Sequence, residues 1–331
     1  MEERKGERVT AVQVAMLPKL KGFGSGNFVL NLDRGLERNG NRSIKLAGLN
    51  SEAEYRSSAH YSKLRWDRWE ENLGRLLNLV SSYTERLEDI VTSQDVDVVN
   101  IHHAGYPLLL GSLIKARYGV PLVLTVHGTG LFELDHGGEK IRVPDVFMRC
   151  VQDFDRIITQ SHRQREMLGG MFNQDKTETV HPGVDEFYLE KEEEEDKEQY
   201  LYVGRITEEK GIDHLLEIFG ELRDKKLVMV GKNQGYDPER LDQPNIDYRG
   251  FVSKSDLRSL YRKSKALIMP SLFDEPFGLV AVESMATGTP VITYGNGGIS
   301  ETVNERVGII CSSKDEMKDT IENDRVEFNR E

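Results

Sequence analysis

Short runs of β-branched and aliphatic residues alternate along this chain with longer stretches in which apolar residues recur every three or four positions. Residues 9–17, 96–101, 122–126 and 156–159 have the first pattern and read as strands. Residues 28–38, 108–118 and a stretch from about 162 have the second and read as helices. His181, Pro182 and Gly183 end this series, and the acidic run at 190–198 has no apolar face and reads as a solvated linker. The alternation then restarts, with strands at 200–203, 227–230, 266–269 and 290–293 and helices at 212–223 and 276–286. Such alternation implies parallel sheets with helices on both faces. The predicted fold class is α/β, with two Rossmann-like doubly wound parallel-sheet domains facing across a cleft. They occupy residues 1–185 and 200–331, joined by an acidic linker at 186–199. In sheets of this kind ligands bind beyond the carboxyl ends of the strands.

The chain has 331 residues, enough for two domains that each bury a core. No apolar run approaches the roughly 18 residues needed to span a bilayer. The opening MEERKGERVT lacks the apolar centre of a signal peptide, so the expected location is the cytoplasm. Cys150 and Cys311 lie far apart and read as buried free thiols, with no disulfide or zinc spacing. The net charge of −12 is uneven: residues 1–190 hold 24 Lys and Arg against 27 Asp and Glu, and residues 191–331 hold 20 against 29. Nucleic-acid binders carry a basic excess, so nucleic acid is not an expected partner.

The segment LFDEPFGLVAVESMATGTPVI, from Leu272 to Ile292, carries the most chemistry. Pro276 suits the first turn of a helix, where its missing N–H leaves nothing unpaired. Gly278 removes bulk where backbone amides meet a ligand, and a helix N-terminus favours a diphosphate. Glu275 and Glu283 are eight residues apart, which in a continuous helix is a rise of roughly 12 Å. That spacing would set one carboxylate at a sugar and the other at a ribose, with the diphosphate between them. Upstream, Arg205 ends a strand and Lys210 begins a helix in YVGRITEEKGIDHLLE. Fixed cations there would stabilise the charge that grows on a departing diphosphate.

EPFGLVAVE, followed by TGTPVI and GNGGISE, resembles the donor motif of family 4 glycosyltransferases, which have the GT-B fold and retain anomeric configuration. The resemblance extends over nearly the whole chain. It implies that Arg205 and Lys210 clamp the donor diphosphate, with the amides of Phe277, Gly278, Leu279 and Val280 facing phosphates and sugar. It implies also that Glu275 contacts hydroxyls of the transferred sugar and Glu283 those of the ribose. Gly231, Phe251 and Val252, at or just past strand ends, are implied as the pocket for the base, and the GNGG loop at 295–298 as a second glycine-rich turn near the donor.

In the first half, Gly22, Gly24 and Gly26 form a loop entering a helix, and the resemblance brings Gly24 to the diphosphate. A nicotinamide site is not expected, because the G-x-G-x-G spacing lacks the acidic partner of a dinucleotide fold. His127 follows a strand directly in VLTVHGTG, and the resemblance implies that it contacts the transferred sugar and assists the reaction. The implied course is front-face attack, with the leaving phosphate oxygen deprotonating the acceptor hydroxyl, so the chain supplies positioning and charge stabilisation. His102 and His103 end another strand; one reading lines the cleft, the other packs both rings.

Residues 55–75 hold Trp66, Trp69 and five Arg or Lys against three acids. They read either as a helix on a membrane surface, fitting a lipid-linked acceptor and a peripheral place on the cytoplasmic membrane face, or as a helix packing its tryptophans on the domain. Asp95 and Asp97 precede a strand and read as turn residues, so neither a catalytic metal nor another cofactor is expected. The expected partners are a nucleotide sugar and a saccharide or lipid-linked acceptor. Two alternatives are a non-catalytic nucleotide-sugar sensor and a nucleotide-sugar isomerase of the same fold. The chain stops at Glu331, before the crossover helix with which the family continues, so the second domain is expected to be short or truncated there.

Overall fold

The computed structural model describes residues 8–15, 24–48, 55–57, 73–102, 106–128, 133–136, 139–142, 149–190 and 196–326. The chain forms two compact units, Met1–Gln160 with Arg165–Gly183, and Ser161–Gln164 with Val184–Glu331. No helix among the described residues is long and apolar enough to cross a membrane.

The first unit is built on β1 (Thr10–Ala15), β2 (Arg42–Gly48), β3 (Tyr55–Ser57), β4 (Val98–His102), β5 (Leu122–Thr125), β8 (Arg156–Thr159) and β9 (Thr177–Thr179). They form one parallel sheet in the order β3-β2-β1-β4-β5-β8-β9. A separate antiparallel pair, β6 (Glu133–His136) and β7 (Glu139–Arg142), lies between β5 and β8 in sequence. Its described helices are α1 (Gly24–Arg38), α2 (Leu73–Ser93) and α3 (Tyr106–Tyr118), and α4 (His162–Met167) is divided between the two units after Gln164. The central strands are buried on both faces, which is why their sequences are near-continuous apolar runs. Val12, Val14, Val99, Ile101, Leu122 and Leu124 pack on one face with Tyr83, Leu87 and Ile90 of α2 and Leu108 and Ile114 of α3. The strand period of two turns the alternate residues to the other face, where Ala15 and Ala47 meet Val29 of α1. Gln13, Asn100, His102 and Thr125 fall on that second face and are all buried.

The second unit has β10 (Gln199–Val203), β11 (Leu227–Val230), β12 (Ile246–Gly250), β13 (Ser264–Met269), β14 (Val291–Thr293) and β15 (Gly308–Ile310). All pair in parallel, in the order β12-β11-β10-β13-β14-β15. The longer helices are α5 (Ile212–Glu221), α6 (Lys254–Arg262), α7 (Leu279–Ala286) and α8 (Lys314–Glu322), and a single short turn of helix spans Pro238–Leu241. α5 and α8 cover one face, through Leu215, Phe219, Met317 and Ile321. On the other, Tyr261 of α6 and Ala281 of α7 pack with Tyr188. The strand order reverses between β10 and β13, and a doubly wound sheet opens a ligand crevice at the carboxyl ends beside such a point.

The second unit begins earlier than the sequence suggests. Glu186–Tyr188, assigned to the acidic linker, form a 3-10 turn with Tyr188 buried 6.0 Å from the Tyr261 ring. Lys254 pairs with Asp185 at 2.6 Å, and Arg258 donates to the Phe187 carbonyl at 2.8 Å. These aromatic residues precede the acidic run and carry the apolar surface that the run lacks.

Candidate active site

Arg205, Lys210 and Glu275 lie on the segments that leave the carboxyl ends of β10 and β13. After β10, the Tyr202 hydroxyl donates to the Arg205 carbonyl at 2.5 Å. The exposed Arg205 guanidinium pairs with Glu209 at 2.6 Å, one helical turn on. Glu208–Lys210 make a 3-10 turn that ends at Gly211, with φ +72°. A Cβ at Gly211 would lie 2.0 Å from the Pro270 carbonyl oxygen, so glycine lets this turn press against the chain leaving β13. The contact delivers Lys210 to the loop after β13. Its ammonium is 2.7 Å from Glu275 Oε1 and 4.4 Å from the centre of the Phe273 ring. Ser271 Oγ donates to the same carboxylate oxygen at 2.5 Å.

Glu275 is 6% exposed, and its backbone is fixed as firmly as its side chain. Its N–H donates to the Asn296 carbonyl at 3.1 Å, and its carbonyl accepts from Gly298 N–H at 2.6 Å. This isolated parallel bridge joins the Glu275 segment to the GNGG turn. Asn296 Nδ2 also donates to the Ser271 carbonyl at 2.8 Å. Gly297 has φ +74°, and a Cβ there would come within 2.4 Å of the Glu275 carbonyl oxygen. Ser271 and Asn296 are contributors that motif reasoning passed over; each is a short polar residue beside a glycine- or proline-marked turn.

The bridge also corrects the expectation for Pro276. The helix begins at Leu279, and its N-cap is Gly278 at φ +92°, not Pro276 in the first turn. Held in the bridge, residues 275–277 are drawn out of the helix, and the left-handed glycine turns the chain into it. Only the last part of the Glu275–Glu283 segment is therefore helical, and the rise from Leu279 to Glu283 is roughly 6 Å. The N–H groups of Leu279 and Val280 open the helix and have no acceptor within it. Phe277, just before the helix, is buried. Glu283, on α7, accepts from the fully buried Tyr261 hydroxyl at 3.1 Å. Burial pushes its carboxyl up to about 7, against the pull of Tyr261 and Lys254.

Gly231 follows β11 at φ +141°, and a Cβ on it would be 1.7 Å from the Gly204 carbonyl oxygen. Its N–H donates to the Gly250 carbonyl at 2.8 Å, and its carbonyl accepts from Tyr248 Oη at 3.0 Å. The ends of β10, β11 and β12 are thus drawn together. Beyond β12, Phe251 is 67% exposed, while Val252 is partly buried in the core.

In the first unit, His127 stands just past β5, as its sequence position implies. Its Nε2 is 2.8 Å from His102 Nδ1, and its Nδ1 is 2.8 Å from Gln160 Nε2. His102 Nε2 is 2.9 Å from Gln13 Oε1. Phe28 of α1 lies edge-on to both rings, at 5.0 Å from His127 and 6.2 Å from His102. Gly24 is the first residue of α1. Asp97 Oδ2 accepts from Thr10 N–H at 2.8 Å, tying the amino ends of β1 and β4 as a turn residue would. Cys150 and Cys311 are buried and, among the described residues, neither forms a disulfide. His103, Trp66, Trp69 and the rest of residues 58–72 lie outside the described residues.

Residues 24–186 match the family described as "Glycosyltransferase Family 4", and residues 184–323 match "Glycosyl transferases group 1". An uncharacterized glycosyltransferase of Methanocaldococcus jannaschii is 28% identical over 246 residues, 64% of this chain and 60% of that protein. The chain thus spans less than two thirds of the length of such curated relatives. Among solved structures, sucrose-phosphate synthase from Thermosynechococcus elongatus aligns with a TM-score of 0.75 at 17% identity, over 96% of this chain and 89% of that one. Anabaena HepE, in complex with UDP and glucose, aligns with a TM-score of 0.69 at 13% identity, over 96% and 89%. These likenesses bear on the fold, which is the two-domain GT-B class.

Proposed function

Because the chain belongs to the family 4 glycosyltransferases, we propose that it moves a hexosyl group from a nucleoside diphosphate sugar to a hydroxyl of a saccharide or lipid-linked acceptor, with retention of configuration. The observation that carries this reading is the pairing of Lys210 with Glu275, bridged to the glycine turn at 297–298, beside the amino end of α7. A cation, a buried carboxylate and open helix amides at one strand-end crevice suit the three parts of such a donor. Lys210 and Arg205 take the diphosphate, together with the amides of Leu279 and Val280. Glu275 takes hydroxyls of the sugar, Glu283 takes the ribose, and Gly231 with Phe251 and Val252 borders the base. His127 is assigned to the transferred sugar.

In this mechanism the glycosidic oxygen of the donor leaves with the diphosphate, and the developing charge is held by fixed cations and amides. The leaving phosphate oxygen takes the proton of the acceptor hydroxyl, which attacks the same face of the anomeric carbon. No residue of the chain serves as a covalent nucleophile, and the charge stabilisation is assigned to Lys210 and Arg205 with no metal ion. Anchoring of a lipid-linked acceptor would fall to residues 55–75 and is read by flotation with anionic liposomes.

The test is release of UDP, ADP or GDP from a panel of nucleotide sugars, with and without acceptor extracts and with EDTA present. Turnover that persists in EDTA and falls at least about tenfold in Lys210→Ala supports the reading. A donor that binds tightly and is never turned over replaces it with the sensor alternative.

A further inference from the structure

A polar line crosses the face of the first sheet that α1 covers; of its members the sequence singled out His127 as a site residue and left His102 between lining the cleft and packing. Thr125 Oγ1 donates to Asn100 Oδ1 at 2.9 Å, and Asn100 Nδ2 donates to Gln13 Oε1 at 3.0 Å. The same Gln13 oxygen faces His102 Nε2 at 2.9 Å. A carbonyl oxygen only accepts, so Nε2 of His102 carries the proton. A neutral His102 then presents a bare Nδ1, and His127 Nε2, 2.8 Å away, must be the donor. That leaves His127 Nδ1 as an acceptor, facing the Gln160 amide at 2.8 Å. Gln13, Asn100, His102, Thr125 and Gln160 are all buried, whereas His127 is partly exposed at the end of the line.

We propose that His102 is the positioning residue for His127: with Gln13 behind it, it fixes the His127 imidazole in the Nε2–H tautomer and sets the plane of its ring. His127 therefore meets substrate through Nδ1, as an acceptor from a sugar hydroxyl. Gln160 holds that atom until the hydroxyl takes its place. In this state His127 has no proton on Nδ1 to give to a leaving group. The inference rests on the assignment of His127 to the transferred sugar.

Two variants separate positioning from packing. In His102→Asn the side-chain oxygen falls near the former Nδ1 and still accepts from His127. In His102→Gln the side-chain amide falls near the former Nε2, so the bond to Gln13 survives and the one to His127 is lost. With UDP-glucose as the probe donor, His102→Gln is expected to lower kcat by about tenfold or more with KM within about threefold, while His102→Asn recovers most of the loss. Long-range proton–nitrogen spectra of protein labelled at histidine should place the His127 ring proton on Nε2 in the wild type and on a mixture of both nitrogens in His102→Gln. Equal losses in both variants that track their melting temperatures would reduce His102 to a packing residue. A ring proton on Nδ1 of wild-type His127 would overturn the inference outright. Intact tautomer spectra with no UDP release from wild-type protein would count against glycosyl transfer from this donor, and against His127 as a sugar contact, but not against the pairing itself.

Discussion

The ammonium of Lys210 lies 2.7 Å from Glu275 Oε1, and the Glu275 side chain is only 7% exposed. Breaking such a pair from the cationic side leaves a buried carboxylate with Ser271 as its remaining side-chain donor. Lys210→Met is expected to destabilise the second unit by on the order of 2 kcal/mol, and Lys210→Met with Glu275→Gln to recover much of it, because the stranded charge is gone. Denaturant unfolding of the two single variants and the double variant measures this coupling; additive losses would mean that the two side chains act independently.

Arg205 makes the opposite case. Its pair with Glu209 is half exposed and spans one turn, a setting in which ion pairs contribute about 0.5 kcal/mol or less. Arg205→Ala should leave the melting temperature nearly unchanged while raising the donor KM and lowering kcat. Kinetics unchanged from wild type would remove Arg205 from the diphosphate site.

Gly297→Ala places a methyl 2.4 Å from the Glu275 carbonyl oxygen at a φ of +74°. Neither the backbone angle nor the contact can relax without opening the bridge to Glu275. The expected loss is about 3 kcal/mol or more, with donor turnover abolished. Thermal unfolding and nucleotide release read the two effects separately.

Glu283 predicts a pH dependence of defined sign. Burial, opposed by Tyr261 and Lys254, raises its carboxyl from the ordinary 4.5 to about 7 in the folded chain. Between those values the folded state holds a proton that the unfolded state has released, so this group's contribution to unfolding free energy falls as pH rises through that window. Glu283→Gln should therefore raise stability above neutral pH, by on the order of 2 kcal/mol, and change it little at acid pH. The same variant should raise the donor KM more than it lowers kcat, since ribose contacts are alike in ground and transition states. Melting curves across pH decide the first point; a constant offset at every pH would exclude ionisation as its cause.

Much of the architecture is legible because buried parallel strands are continuous apolar runs, and 156–159 and 227–230 coincide with β8 and β11. The donor-side motif is legible because its glycines mark backbone constraints: Gly297 and Gly298 meet neighbouring backbone at distances that exclude a side chain, and Gly278 turns the chain at φ +92°. Pro276 misleads because its fixed φ suits a helix start, whereas the bridge to Gly297 holds this stretch extended. Ser271, Asn296, Gln13 and Asn100 are harder to foresee. A single polar residue in an apolar strand or a turn does not reveal its partner, which comes from another strand brought near by the fold. The usable signal is alternation: Gln13 sits between Val12 and Val14, and Asn100 and His102 flank Ile101.

The polar line across β1, β4 and β5 has a consequence for how the first sheet assembles. Gln13 stands opposite Asn100, and His102 opposite Thr125, only in the native register. A slip of one residue in any of the three strands would turn its polar side chains toward the apolar face and leave their partners bare. Apolar strands alone tolerate such slips, since one aliphatic side chain replaces another. Amides and imidazoles that must find one another make misregistered pairings expensive, so the line proofreads the order and alignment of the strands while the domain folds.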